Sequence, residues 1–340
     1  MTIIINMRSG VDEVKLRIAA KLIREGKLVA FPTETVYGLG ADALNERAVR
    51  RIFEAKGRPA DNPLILHIAK FSQVYELARE VPEEAKVLVE RFWPGPLTIV
   101  LPRKDVVPDV TTGGLDTVAI RMPANEIALK LIELSGKPIA APSANISGKP
   151  SPTSAEHVAD DFYGKIECII DGGETRIGVE STVIDLTEHP PVLLRPGGLP
   201  LEEIEKVIGK VRIHPAVFGK KVDTPKSPGM KYKHYAPNAE VIVVEGPREK
   251  VKGKITELVK ELKERGKKVG VIGSESYNAD EFFFLGSSVE EVAKNLFKAL
   301  RYMDKAGVDV VIAEGVEERG LGLAVMNRLR KASGYKIVKA

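Results

Sequence analysis

Residues 214–238, HPAVFGKKVDTPKSPGMKYKHYAPN, carry no helical or strand period, and four prolines (215, 225, 228, 237) stand among little apolar content. Connections inside a compact domain run to about 4–6 residues, so a stretch of this length breaks the chain into separate bodies. Within it, Lys220, Lys221, Lys226, Lys231 and Lys233 face only Asp223, a formal +4 for residues 220–233. The expected organisation is a first domain over 1–208, a basic, proline-rich linker over 209–238 and a second domain over 239–340.

On both sides of the break, short apolar runs alternate with helical patterns. Residues 12–25 place Val14, Ile18, Leu22 and Ile23 at helical spacing, with Asp12 as the start signal. LVAF (28–31) reads as a buried strand, and 45–58 as a helix from Asn45 to Gly57 ahead of Pro59. Strands follow at 63–69, 97–102, 117–123, 137–143, 166–171, 181–186 and 192–196, with helices near 71–79, 83–92 and 125–135. After the break, strands at 240–246, 268–273 and 308–315 alternate with helices at 249–265, 288–302 and 322–333, the pattern of a small parallel doubly wound sheet.

Charge and composition exclude several classes. The 51 basic and 47 acidic residues leave a net charge of +4, so no polybasic tail dominates, although a local basic groove is compatible with it. No apolar run approaches the roughly 20 residues of a membrane span. The start, MTIIINMRSG, is too short in apolar residues for a signal peptide and has no small-residue cleavage site. Cys168, the single cysteine, sits in IECIID and reads as core. These features point to a cytoplasmic protein.

Polar residues gather where strands end. FPTETVYGLGADA (31–43) matches the loose dinucleotide fingerprint, but ADALN separates its glycines from the next helix, and Ala69 and Lys70 follow the second strand where an acid is required. No Walker A loop is present. Two readings of PTET stay open: a turn built by Gly38 and Gly40, or a ligand wall at the carboxyl end of a strand. AKGRPADNPLILHI places Lys56, Arg58 and Asn62 before a strand. Lys56 and Arg58, two apart in an extended segment, would face one side and suit a polyphosphate, or form a solvated basic turn. His67 inside the strand reads as a satisfied core histidine. APSANISGKPSPT offers Ser143, Asn145, Ser147 and Ser151, for phosphate and nucleoside hydroxyls or for a self-bonded polar turn. Glu180, Ser181 and Thr182 open one strand and Arg195 precedes a Pro-Gly-Gly turn. Arg121 closes a third strand, as a carboxylate clamp or a rim ion pair. The five histidines (67, 157, 189, 214, 234) are scattered, and no Gly-x-Ser-x-Gly elbow appears. Cations, many hydroxyls and no activated nucleophile suit nucleotide transfer by positioning and charge stabilisation.

PTETVYGLGADA, AKGRP…NPL, WPGPLT, VAIRMP, APSANISG, GVESTVID and LLRPG occur in that order. Together with SPGMKYKHYAP and GLGLAVMNRLRKAS they make the chain resemble the YrdC-like family, in its two-domain threonylcarbamoyl-AMP synthase form. The resemblance spans nearly the whole chain. It implies an open, twisted mixed α/β sheet with a concave basic face, followed by a small parallel Rossmann-like domain. It implies condensation of L-threonine, bicarbonate and ATP to threonylcarbamoyl-AMP with release of pyrophosphate, a nucleotidyl transfer. The product would feed threonylcarbamoyladenosine formation next to the anticodon of tRNA, through a downstream threonylcarbamoyl-transferase machinery.

Carried onto this chain, the resemblance makes Lys56 and Arg58 catalytic, holding the triphosphate with magnesium. Asn62, Thr117, Ser143, Asn145, Ser151 and Arg195 would serve ATP. Arg121 would clamp the threonine carboxylate, and Thr35, His67, Ala141 and Ser181 would complete that pocket. Tyr235, with His234, would close over the nucleotide as a lid. No protein ligand for the magnesium ion is assigned. In PTET, Thr35 would face the amino acid, Thr33 and Glu34 would shape the strand end, and the glycines would turn the chain away. Two rivals remain: adenylylation of carbamoyl phosphate, as in hydrogenase-maturation proteins, and a module gripping tRNA or double-stranded RNA by shape.

Overall fold

The computed structural model describes residues 1–220, 224–228, 230 and 234–340. It divides into two compact units, Met1–Ser147 with Ser151–Lys231, and Gly148–Pro150 with Tyr232–Ala340.

The strands of the first unit are β1 (Ile3–Asn6), β2 (Val29–Phe31), β3 (Gly38–Asp42), β4 (Ile65–His67), β5 (Leu97–Pro102), β6 (Thr117–Arg121), β7 (Ile139–Ala140), β8 (Cys168–Asp171), β9 (Thr182–Asp185), β10 (Val192–Arg195) and β11 (Arg212–Ile213). They form one mixed sheet in the order β1-β8-β2-β3-β7-β4-β6-β5-β9-β10-β11. The sheet combines parallel pairs such as β4 with β6 and antiparallel ones such as β5 with β6. Its helices are α1 (Glu13–Arg24), α2 (Glu46–Lys56), α3 (Val74–Leu77), α4 (Glu83–Phe92), α5 (Asp109–Thr112), α6 (Glu126–Ser135), α7 (Ala155–Phe162) and α8 (Leu201–Ile208).

Helix α1 starts where the Asp12 side chain accepts from Lys15 N, and Lys21 and Arg24 in its last turn complement the dipole. Its buried face is Leu16, Ala19, Ala20 and Ile23, packed with Ile127, Ala128, Leu131 and Ile132 of α6 over Phe31, Cys168 and Ile170. The expected stripe is therefore rotated. Val14 and Ile18 are 77% and 51% exposed, because the face that packs on the core is the one carrying Leu16, Ala19, Ala20 and Ile23. Cys168 is buried as expected, and burial raises its thiol to about 12.

A second correction concerns the glycines of GLGADA. They lie in β3, antiparallel to β2 and wholly buried, and neither turns the chain. A Cβ on Gly40 would stand 2.7 Å from Phe31 Cε1 and 2.8 Å from Ile139 Cγ2. Glycine is required here for close packing in a strand, not for a left-handed backbone. Strand β1 was also not expected.

In the second unit, β12 (Glu240–Glu245), β13 (Val269–Gly273), β14 (Glu281–Phe284), β15 (Val310–Glu314) and β16 (Ile337–Lys339) form a sheet in the order β14-β13-β15-β12-β16. All its pairs are parallel. Helices α9 (Arg248–Glu264), α10 (Val289–Ala306) and α11 (Gly322–Ala332) connect them. Val251, Ile255 and Val259 of α9 close a core with Val244, Val269, Val271 and Ile312. Strands β14 and β16 exceed the three expected. Among the described residues, no helix is long and apolar enough to cross a membrane.

Candidate active site

Three loops of the first unit are sewn together by backbone bonds. Ile177 N and Gly178 N donate to the carbonyls of Glu34 and Thr35, at 2.8 and 3.1 Å. Leu39 N donates to Pro142 O and Ala144 N to Tyr37 O, both at 2.8 Å. The segments PTET, APSANISG and GVEST, remote in sequence, thus share one end of the sheet.

Arg121 ends β6 at this place and is buried. Its Nε donates to Gly95 O at 3.2 Å, and its Nη1 to Thr35 Oγ1 at 3.0 Å. Its Nη2 lies 2.7 Å from Glu34 Oε1, an ion pair in which both side chains are sequestered from solvent. That contact is close by distance but poorly aligned, and neither Glu34 oxygen has a hydrogen bond of good geometry. Thr33 Oγ1 donates to Val36 O at 2.6 Å and lies 2.8 Å from Thr35 Oγ1. Proton order follows: Arg121 donates to Thr35, Thr35 to Thr33, and Thr33 to the Val36 carbonyl.

His67 pairs with Arg121 across the parallel β4–β6 ladder and with Ile139 across β7. Burial, with the Arg121 charge beside it, pushes its ring down to about 3, so the imidazole is neutral. Ala141 follows β7, its N–H donating to Ile65 O at 3.0 Å. Ser181 Oγ lies 2.8 Å from Thr98 Oγ1 on β5. Arg121 thus touches Thr35 directly and stands opposite His67, while Ala141 stands opposite Ile65 at the start of β4.

The nucleotide candidates surround the same three loops. Lys56 Nζ donates to Ser143 O and Asn145 O at 2.5 and 2.6 Å, holding the turn that carries both residues. Ser151 Oγ donates to Glu180 Oε1 at 2.6 Å. Arg195 Nη2 donates to Ser181 O and Oγ at 2.9 and 3.1 Å, which joins the two groups of residues through Ser181. Arg58 stacks over Phe53 at 5.5 Å and reaches Asn62, whose amide in its better orientation accepts from Arg58 Nη2 at 3.0 Å.

One expectation changes. Lys56 is the last residue of α2 and Gly57, at φ 62°, is its left-handed cap, so Lys56 and Arg58 do not share one face of an extended segment. Thr117 opens β6 while Arg121 ends it, about 13 Å away at strand rise. It lies with Asn62 at the other end of the ladder. Tyr235 belongs to the second unit, where its ring lies 5.2 Å from Phe297 and 5.4 Å from the Arg328 guanidinium.

Two participants had been assigned no role. Gly95 supplies the carbonyl that fixes Arg121, and Thr98 holds Ser181. Both sit in WPGPLT, whose crowded prolines and glycine were the available signal. A Cβ on Gly95 would fall 2.1 Å from Phe92 O, so only glycine fits there.

Four buried cations (Lys56, Arg58, Arg121, Arg195) and the buried carboxylates Glu34, Glu180 and Asp161, the last accepting from Ile146 N at 3.1 Å, are placed at this site among the described residues. Among the described residues, no group of three or more histidine, cysteine or acid side chains is placed to hold a metal ion.

Comparison with known proteins identifies the lineage. The Sua5_yciO_yrdC family, described as "Telomere recombination", matches residues 21–197. The chain belongs to the Sua5–YciO–YrdC family. A second match, "Threonylcarbamoyl-AMP synthase, C-terminal domain", covers residues 199–334, so this Sua5–YciO–YrdC member has the long form. The threonylcarbamoyl-AMP synthase of Pyrococcus abyssi is 79% identical over 339 residues, 100% of both chains. That of Bacillus subtilis is 52% identical over 335 residues, 96% of this chain and 95% of the relative. A crystal structure of P. abyssi Sua5 complexed with L-threonine superposes with a TM-score of 0.99 at 79% identity, covering 100% of both chains.

Proposed function

We propose that this chain makes L-threonylcarbamoyl-AMP from L-threonine, bicarbonate and ATP, releasing pyrophosphate, as a nucleotidyl transferase serving threonylcarbamoyladenosine formation in tRNA. The observation that carries the reading is the convergence of buried cations and hydroxyls on three loops sewn together by backbone bonds, a setting for a polyanion next to a carboxylate.

The chemistry then divides as follows. The threonine amine adds to bicarbonate with loss of water, giving a carbamate. A carbamate oxygen attacks the α-phosphorus of ATP, and the bond to pyrophosphate breaks. Arg121 binds the threonine carboxylate, with Thr35, Ala141, Ser181 and the neutral His67 as the remaining walls. A neutral imidazole adds no charge to compete with Arg121. Lys56 and Arg58 meet the triphosphate and stabilise the charge on departing pyrophosphate. Asn62, Thr117, Ser143, Asn145, Ser151 and Arg195 orient the nucleotide. Magnesium enters with ATP as part of the substrate, since this ion is ordinarily held largely by phosphates and water. The product is a hydrolysable mixed anhydride, so it passes to a threonylcarbamoyl transferase acting on tRNA.

The test is pyrophosphate release with mass detection of the adenylate. Release that requires threonine and bicarbonate together supports the synthase. Adenylate formed from carbamoyl phosphate without threonine, or salt-sensitive RNA affinity without ATP turnover, would replace it with one of the rivals. The lid has its own test. Tyr235→Ala is expected to lower the adenylate yield and raise unproductive ATP loss; unchanged turnover and coupling would remove the lid.

A further inference from the structure

The second unit contains a cavity that the synthase chemistry does not use. Strands β12 and β15 are neighbours, but the chain leaves them in opposite directions. From β12 it runs through α9 to β13, and from β15 through α11 to β16. Right-handed crossovers then put α9 and α11 on opposite faces, and a crevice opens beyond the strand ends. A cavity of about 770 Å³ lies there, within the size range of small-molecule sites.

Four of the strands bordering it, β12, β13, β14 and β15, run out into glycine: Gly246, Gly273, Gly286 and Gly315. A Cβ on Gly273 would stand 2.6 Å from Glu314 Oε2, and one on Gly315 would stand 2.8 Å from Val244 O. The rim is therefore bare backbone, with the Glu314 carboxylate laid against it.

The polar groups narrow the ligand. The cations lining the cavity are committed to carboxylates. Arg330 pairs with Glu245 and Glu318, Lys339 with Glu245, and Arg248 with Glu275. The N-terminus of α10, where this architecture ordinarily seats a phosphate, is filled from within: Glu291 Oε2 accepts from Ser287 N at 2.6 Å and Ser288 N at 3.3 Å. A phosphate would meet that carboxylate. Glu314 is different. It accepts from Ser274 N at 2.6 Å and Ser274 Oγ at 2.9 Å and has no cation partner among the described residues. It keeps lone pairs for donors brought by a ligand. Val251, Leu285, Val292, Val316 and Met326 supply apolar walls.

We propose that this crevice binds a ribonucleoside without a phosphate, its ribose hydroxyls on Glu314 and its base against the apolar walls. The proposal is independent of the reaction assigned to the first unit.

Peptide-resolved hydrogen exchange on the full chain, with adenosine, 2′,3′-dideoxyadenosine and AMP as probes, tests it. Adenosine is expected to slow exchange in 285–292 and 314–318. Dideoxyadenosine should need about tenfold more for the same effect, the usual loss for a hydrogen bond to a charged group. AMP should protect these segments less than adenosine does. Glu314→Gln should bring adenosine down to the dideoxyadenosine level. Equal protection by the two nucleosides, no protection at millimolar adenosine, protection confined to the first unit, or AMP binding more tightly than adenosine overturns the proposal. If Glu314→Gln fails to fold, the nucleoside comparison on the unaltered chain still decides.

Discussion

At Arg121, a guanidinium with five N–H groups meets two neutral acceptors and a carboxylate, and donors remain for a substrate. Thr35 is one of those acceptors, so its hydroxyl sets the guanidinium's position. Thr35→Val is expected to raise the KM for threonine about tenfold, the cost of one hydrogen bond to a charged group, and to leave the KM for ATP within about twofold. Steady-state kinetics with each substrate varied in turn checks this. An equal loss for both substrates would return PTET to the phosphate side of the site. His67 makes a separate prediction. Its folded ring titrates near 3, while the unfolded ring takes a proton below about pH 6.5. Between those values the unfolded chain binds more protons, so stability falls as pH drops, by about 1.4 kcal/mol per unit. Denaturant unfolding at pH 7.5 and pH 5 should show about 2 kcal/mol lost to this group, and the loss should disappear in His67→Gln.

Among the elements, β3 carries the sharpest expectation. Gly40 has no room for a Cβ between Phe31 and Ile139, whereas at Gly38 the nearest atom, Ala141 Cβ, would be 3.1 Å away. Gly40→Ala should cost about 1–3 kcal/mol, the range for overpacking a core, and Gly38→Ala should cost less. Equilibrium unfolding of the two variants measures both. The same strand shows where sequence reading stops. Helix α2 was legible because its ends are local signals, Asn45 bonding Ala48 N and Gly57 in the left-handed region. In β3, Gly-Leu-Gly has the local look of a turn, and only Phe31 and Ile139, packed against it from neighbouring strands, make it extended. Helix α1 was found but its buried face was not, since that choice belongs to α6. In the site, Arg121 and Ser181 were legible as polar residues at strand ends, and the motif order supplied their roles. Glu34 as the Arg121 counter-ion was not, because only the folded chain brings the loop after β2 to the end of β6, with three strands between them in the sheet.

Taken whole, the molecule has a separate apolar core in each unit. Heat unfolding followed by calorimetry is expected to resolve two transitions. Leu131→Ala in α6 should lower one and Ile255→Ala in α9 the other, each by about 2–5 kcal/mol of stability. One transition shifted alike by both variants would mean that the cores melt as one. The order of strands in the first unit has a consequence for synthesis. β1 is the first strand made, yet its partner begins at Cys168, and Thr35 stays apart from Ser181 until more than half the chain exists. A growing chain on the ribosome therefore carries its amino-terminal strand unpaired through most of the first unit's translation. Long-range pairing of this kind is slow to form and exposed to wrong partners while it waits. The same dependence means that a prematurely ended chain would lack a site altogether, instead of holding a weakened one.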